Sequence, residues 1–407
     1  MGCKHSKENT AAEKEKIAFE NAQPAKLPMA RNAMANKKQQ RLTEAAIKRK
    51  MNQQLSCAPV NRSIGRRTRV TQRMLSNAAG SMVPDEDKEE NKDADHALAK
   101  HLISISPFNK RWKVIETINE GTYGFVFAVQ DVVTKTDGVI KVAKNVGGIG
   151  NPIAEWESFI FERIYRTNPN ASVVRVLDRG MLQDQSDNAM EFMVLEKAKV
   201  DVSTWLYELT GPSRRVRVCQ VAMQMLKGIY DLHMQGLLHR DLKPNNMGIS
   251  SRESPATLLF DLGMARMYTD GDGSNRPPRT VVQFRGTPEW ASGHAEKGRD
   301  QTRYDDLIAW LYVIVEFFDP IEDGDCLPWS FCRSSKGKIY LKSTFCPARL
   351  LLQNCPLPFY AINTYLQTAN RLLPPNYEFI ADRVMESLQE CSVVNESPLK
   401  AVTAVNQ

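Results

Sequence analysis

A chain of 407 residues can hold one large domain with an extension, or two domains, and its 42% hydrophobic and 25% charged residues are usual for a soluble globular protein. Its net charge of +7 is unevenly placed, with nearly all the excess lysine and arginine before about residue 75. The longest apolar run, from Leu307 to Val315, stops at Glu316 and is far short of the about 20 residues of a spanning helix, so a buried core helix is expected there. The first residues lack the apolar core of a secretory leader, and the cysteines form no C-x-x-C and have no histidine at zinc-like spacing, which fits reduced thiols in a cytoplasmic protein.

The opening Met1-Gly2-Cys3-Lys4-His5-Ser6 fits M-G-x-x-x-[ST]. Removal of Met1 would expose the Gly2 amine to myristoylation, and a second chain on Cys3, or the lysines that follow, would make membrane attachment stable. The other reading is an unmodified end. From there to about Pro107 the chain is polar and poor in aromatics, a composition that cannot bury enough apolar surface to fold alone. A disordered tail over residues 1–107 is therefore expected, basic at 37–73 and acidic at 85–95. The basic part suits anionic lipid, nucleic acid or an acidic protein surface, or it is a solvated linker; nucleic acid is not the favoured partner.

Ordered structure is expected from Phe108. The alternation in Lys113-Val114-Ile115-Glu116-Thr117-Ile118 predicts a strand, and Asn119-Glu120-Gly121-Thr122-Tyr123-Gly124-Phe125-Val126-Phe127 leads through a glycine turn into a second. Gly138-Val139-Ile140-Lys141-Val142 reads as a buried strand carrying one lysine, which needs a counter-ion in apolar surroundings. The helical stretch from Glu155 to Ile164 offers one, because Glu157, Phe161 and Ile164 share a face; Glu155 is the alternative. Phe192 to Ala198 reads as a strand and hinge. Helices follow at residues 202–209 and 214–233, the second with Val218, Val221, Ala222, Met225, Leu226, Ile229 and Leu232 as its core face.

Next comes Leu238-His239-Arg240-Asp241-Leu242-Lys243-Pro244-Asn245-Asn246, and further on Asp261-Leu262-Gly263. The pattern H-R-D-x-K-x-x-N followed by D-x-G resembles the catalytic and metal-binding loops of protein kinases. The chemistry accounts for the spacing: a carboxylate (Asp241) orients the attacking hydroxyl, and Lys243 reaches the transferred phosphate. An amide oxygen (Asn246) and a carboxylate (Asp261) converge on Mg²⁺. A lysine at the position of Lys243 is the serine/threonine-kinase habit.

The resemblance implies roles upstream. Ile118, Gly121, Gly124 and Val126 would belong to the glycine-rich loop over ATP, Lys141 would reach the phosphates with Glu157 as its partner, and Glu196 and Ala198 would form the adenine-binding hinge. The fold implied is α+β and two-lobed, with a small antiparallel sheet and one helix above a larger, mostly helical lobe. The kinase domain would span residues 108–392, followed by a short tail, 393–407. Two departures are visible: Asn119 replaces the first glycine of the loop, and Leu262 replaces the usual phenylalanine.

Phe284-Arg285-Gly286-Thr287-Pro288-Glu289-Trp290-Ala291-Ser292, with Arg303-Tyr304-Asp305-Asp306-Leu307 and Leu327-Pro328-Trp329, resembles the casein kinase 1 superfamily, closest to its tau-tubulin kinase branch. Arg111 to Val114 and Pro374-Pro375-Asn376-Tyr377 are similar to that branch's domain ends. Asp306 then matches the buried aspartate that ties down the catalytic loop backbone. Family members commonly carry arginine where this chain has Glu289, so repulsion of acidic substrates is expected here, and Lys199 replaces the glycine after the hinge. The expectation is a monomeric serine/threonine kinase using ATP and Mg²⁺ on protein substrates, cytoplasmic and held at membranes by its lipid anchor. The rival is a weakly active or inactive kinase-shaped scaffold recruited by its tail; Asn119 and Glu289 favour it, and the complete set of lysine, base and metal ligands argues against it.

Overall fold

The computed structural model of the chain describes residues 92–121, 124–144, 152–183, 189–251, 254–270, 272–319, 327–345 and 348–404. Gly2 and Cys3, the basic segment at 37–73 and the glycine-turn residues Thr122 and Tyr123 lie outside them.

The N-terminal lobe is a five-stranded antiparallel sheet in the order β1-β2-β3-β5-β4. Its strands are β1 (Trp112–Gly121), β2 (Gly124–Asp131), β3 (Asp137–Ala143), β4 (Val176–Gln183) and β5 (Ala189–Glu196). Helix α1 (Lys92–Ser104) precedes the sheet, and α2 (Pro152–Thr167) crosses from β3 to β4. Register divides the sheet into two faces, because directly paired residues share a side and neighbours along a strand do not. Val126 pairs with Lys141, and Lys141 with Met193, on one face. Phe125 and Phe127 of β2, Val142 of β3 and Phe192 of β5 lie on the other, within an apolar core that includes Trp112.

Helix α1 departs from the expectation that order begins at Phe108. It carries only a short apolar face, but Ala99 and Leu102 are buried in the core formed with Trp112, Phe125, Phe127 and Phe192, and Leu98 packs against it. Composition rightly signals that such a segment cannot fold alone. Placed on a sheet of aromatics it need not, since burying one leucine is worth about 1.5–3 kcal/mol. The aromatic face supplies the apolar partner the tail lacks.

The C-terminal lobe contains α3 (Val202–Tyr207), α4 (Gly211–Met234), α5 (Gly293–Glu296), α6 (Arg303–Phe318), α7 (Ser335–Tyr340), α8 (Ala348–Leu351), α9 (Pro358–Thr368) and α10 (Tyr377–Ala404). Its small strands are β6 (Val200–Asp201) through β8 (Met247–Ile249) to β9 (Thr257–Leu259) in one sheet, with β7 (Leu237–Leu238) paired to β10 (Arg266–Met267) in another. The long apolar run is α6, buried at every position from Tyr304 to Val315 and headed by Asp305, whose carboxylate accepts the Thr302 N–H at 2.7 Å. Trp310 of α6 donates to the Ala222 carbonyl of α4 at 3.1 Å, tying the two central helices. No helix among the described residues is long and apolar enough to cross a membrane.

Candidate active site

The site forms where β3, α2 and the two loops after β7 and β9 meet. Lys141 leaves the sheet face shared with Val126 and Met193. Its ammonium lies 2.8 Å from Glu157 Oε1 and 3.1 Å from Asp261 Oδ1. Glu157 is nearly buried, whereas the alternative, Glu155, is exposed at the start of α2. The same Glu157 oxygen accepts the Leu262 N–H at 3.1 Å, so one carboxylate joins the strand lysine to the loop that carries Asp261. A further latch was not anticipated from sequence: the Trp156 indole of α2 donates to the Ala265 carbonyl at 2.8 Å. Nothing in its local sequence marks Trp156, because its acceptor is a main-chain oxygen 109 positions away.

The catalytic-type loop is fixed by its backbone. Asp306 at the head of α6 accepts the His239 N–H through Oδ2 and the Arg240 N–H through Oδ1, each at 2.8 Å. Arg240 sits at φ 72°, a left-handed conformation that costs a non-glycine residue energy and persists where surrounding bonds impose it. Gly286 meets this turn closely; at φ 120° a Cβ built there would be 2.6 Å from the Arg240 carbonyl. That approach explains the glycine of the G-T-P-E stretch.

Asp241, Lys243 and Asn246 converge within this loop. Lys243 Nζ lies 2.8 Å from Asp241 Oδ2, and Asn246 Nδ2 donates to the Asp241 carbonyl at 2.8 Å. Thr287, whose role the local sequence does not signal, joins them: its hydroxyl donates to Asp241 Oδ1 at 2.7 Å and accepts from Lys243 at 3.2 Å. The two halves are joined through Phe260, which precedes Asp261. Its N–H donates to the Asn246 carbonyl at 3.1 Å, and its own carbonyl meets His239 Nε2 at 3.2 Å.

Charge follows this geometry. Burial acts to raise the Asp261 carboxyl, but the Lys141 ammonium, by charge and hydrogen bond, and more distantly His239 and Lys243, hold it below the ordinary carboxylate range. Burial likewise acts to lower Lys141, and Glu157 and Asp261 overcome it, so the ammonium is held charged. The donor set suits a hard divalent cation such as Mg²⁺, which prefers oxygen. Asp261 contributes a carboxylate, and Asn246 has its nitrogen committed to the loop, which leaves its carboxamide oxygen as the available donor.

The expected nucleotide-binding residues lie on β1, on β2 and at the end of β5 and just after it. Ile118 of β1 is half exposed, Gly121 and Gly124 pair across the turn, and Val126 is partly buried on the lysine's face. A Cβ at Gly124 would fall 2.3 Å from the Val142 carbonyl, so close backbone approach requires glycine there. Glu196 donates its N–H to the Arg175 carbonyl at 2.8 Å, and Ala198 packs on Gly248, where a Cβ would come within 2.4 Å of it. Nothing near Gly248 in sequence signals this need, because Ala198 lies 50 residues away along the chain.

Glu289 differs from its expected part. Its carboxylate is not a free charge repelling substrate: Lys338 of α7 and the Ser330 hydroxyl both bind it, and its side chain is largely buried. The reason is tertiary, since both partners come from a segment some 40 residues later that packs beneath the loop.

A two-lobed fold with a sheet lysine, an α2 glutamate and paired catalytic-type loops defines a protein kinase. The protein kinase domain family matches residues 112–315, about half of the chain, and the chain belongs to that family. Its relatives include a probable serine/threonine-protein kinase of Dictyostelium discoideum, 27% identical over 66% of this chain and 52% of that protein. The serine/threonine-protein kinase spe-6 of Caenorhabditis elegans is 25% identical over 74% of this chain and 78% of its own length. A Caenorhabditis elegans protein provisionally named as a casein kinase I is 24% identical over 57% of this chain and 65% of its own. The chain thus spans about half the length of the Dictyostelium relative and more of the two worm proteins.

Proposed function

We propose that the chain is an active serine/threonine protein kinase that transfers the γ-phosphoryl group of ATP to a hydroxyl of a protein substrate. The observation that carries this reading is the pair of linked triads: Lys141 with Glu157 and Asp261, and Asp241 with Lys243 and Asn246. Lys141, held charged by two carboxylates, is placed to hold the nucleotide's phosphates. Asp241, restrained by Thr287 and Lys243, is placed to orient the substrate hydroxyl and accept its proton. Lys243 then offsets charge on the transferred group. Asn246 and Asp261 would hold Mg²⁺, which in such enzymes neutralises phosphate charge. Phosphoryl transfer of this kind depends on positioning and electrostatics, which is what these restraints supply.

The expected test is transfer of label from γ-labelled ATP to a generic protein by the full chain, lost in an Asp241→Asn variant that still folds. Equal labelling by both would remove the enzyme reading and leave the scaffold.

The relatives' names and the F-R-G-T-x-x-x-A-S stretch support a place near casein kinase 1, with the tau-tubulin kinase branch as the finer assignment. Attachment to membranes through Gly2 and Cys3 is part of the same reading. It predicts that Gly2→Ala moves the chain from the membrane fraction to the soluble one, and no shift would overturn it.

A further inference from the structure

A side chain at the start of the C-terminal helix bears on the catalytic loop through two buried groups. Tyr377, the first residue of α10, has its hydroxyl 2.5 Å from Nδ1 of His233 near the end of α4. The other ring nitrogen, Nε2, lies 2.9 Å from Asp306 Oδ2. That oxygen also accepts the His239 N–H, and its partner oxygen accepts the Arg240 N–H. His233 and Asp306 are buried to within 2% of full enclosure.

The direction of each bond follows from what the groups can do. A carboxylate only accepts, so Nε2 must carry the proton that faces Asp306. In a neutral imidazole Nδ1 then must accept, and the Tyr377 O–H is the donor it meets. Burial pushes the His233 pKa down, against the pull of Asp306, and the Arg303 guanidinium pushes the same way, which favours the neutral ring. A neutral ring has two tautomers. With Nδ1 protonated instead, a bare Nε2 would face a carboxylate oxygen, lone pair against lone pair, and the anchor of the catalytic loop would loosen. The Asp306 carboxylate selects against that tautomer, and the Tyr377 O–H satisfies the Nδ1 lone pair that the remaining tautomer keeps buried.

We propose that Tyr377 is a positioning residue for phosphoryl transfer: by donating to the buried Nδ1 it satisfies the His233 ring that holds Asp306, and through Asp306 the backbone of His239 and Arg240 next to Asp241. The proposal rests on the kinase reading above. It joins α10 to catalysis across a path with no contact between Tyr377 and substrate. The strained backbone of Arg240 explains why the anchor matters, since a left-handed turn relaxes once its amide bond weakens.

The test is Tyr377→Phe in the full chain, which keeps the edge-to-face ring contact with Tyr230 at 5.1 Å and removes only the hydroxyl. The expected result is a kcat about ten-fold lower, the factor made by about 1.4 kcal/mol of barrier, with KM for ATP unchanged. Hydrogen exchange at the His239 and Arg240 amides should quicken. On an Asp306→Asn background the same change should add nothing further, because the anchor is already altered. Unchanged kcat and unchanged exchange in an active protein, or losses that simply add, would overturn the proposal. An inactive wild type would instead overturn the kinase reading, and the exchange result would still decide the anchor. Should the variant fail to fold, ¹⁵N-histidine spectra of the wild type decide it: a neutral His233 protonated at Nε2 is required, and an Nδ1–H tautomer or an imidazolium overturns it.

Discussion

Two buried lysine–glutamate pairs in this molecule have the same chemistry and different surroundings. Lys342 and Glu296 lie 2.7 Å apart with side chains 1% and 3% exposed, and the lysine's other donors go to the Ala291 carbonyl, at 2.7 Å, and the Pro288 carbonyl. Tyr312 and Trp329 rings sit beside the ammonium, at 5.9 and 5.1 Å. Lys141 and Glu157 are nearly as close, at 2.8 Å, but the lysine is 25% exposed and its other contact is a second carboxylate, Asp261, that is 44% exposed. The first pair is sealed by backbone carbonyls and aromatic rings. The second keeps an excess of negative charge at an open edge, which is what a site for a cation and a polyphosphate requires. Titration reflects the contrast: burial, only partly offset by Glu296, lowers the Lys342 pKa, whereas two carboxylates raise that of Lys141 against burial. Counting ion pairs would rate them alike; the groups left over after pairing tell them apart.

The comparison breaks if function and stability do not separate between the pairs. The largest effect is expected for Lys141→Met, a loss of phosphate transfer of about a thousandfold or more, with a smaller loss of stability than at the sealed pair because Glu157 keeps the Leu262 N–H as a partner. Lys342→Met should do the reverse: about 3 kcal/mol less stable in denaturant titration, because Glu296 is left buried without its partner, with activity per folded molecule retained. Adding Glu296→Gln to that variant should restore part of the loss; no recovery would mean that packing, not charge, holds the loop. Glu157→Gln sharpens the open pair, with an expected fall in kcat/KM of about ten- to a hundredfold and a Tm within a few degrees of wild type, since the amide can still accept from Lys141.

The smallest effect concerns Glu316 on the far side of the same loop. Burial pushes its carboxyl up to about 7, with the Trp290 indole, 2.6 Å away, pulling the other way. An acid whose folded pKa is raised binds more protons folded than unfolded, so stability should fall as pH climbs from about 4.5 to about 7. Glu316→Gln should remove that slope, giving a Tm equal to wild type near pH 5 and several degrees higher at pH 8. A wild-type Tm that does not decline over this range would show the carboxyl already ionised.

What was legible in the chain follows the same division. Residues that meet in space and lie together in sequence, such as Asp241, Lys243 and Asn246, could be picked out because their spacing is set by one loop. Lys141 was visible because a lone charge in an apolar strand demands a partner, and helical periodicity was enough to prefer Glu157 over Glu155. Helix α1 was missed because its apolar face is too short to signal order until Phe125, Phe127 and Phe192 are placed beneath it. Glu289 was misjudged because Lys338 and Ser330, which neutralise it, follow it by some 40 residues and reach it only through folding.

By itself the sequence determined the core helix α6 through its periodicity and brought the candidate site residues to notice through local spacing, while the two-lobed architecture was what their resemblance to protein kinases implied. Only the tertiary structure decided which charges remain open and which are closed off, and that Tyr377 and His233 form one hydrogen-bonded chain ending on the Asp306 carboxylate. Hydrogen bonds and ion pairs act over about 3 Å, a distance that folding sets between residues any number of positions apart, so their partners cannot be read from order along the chain.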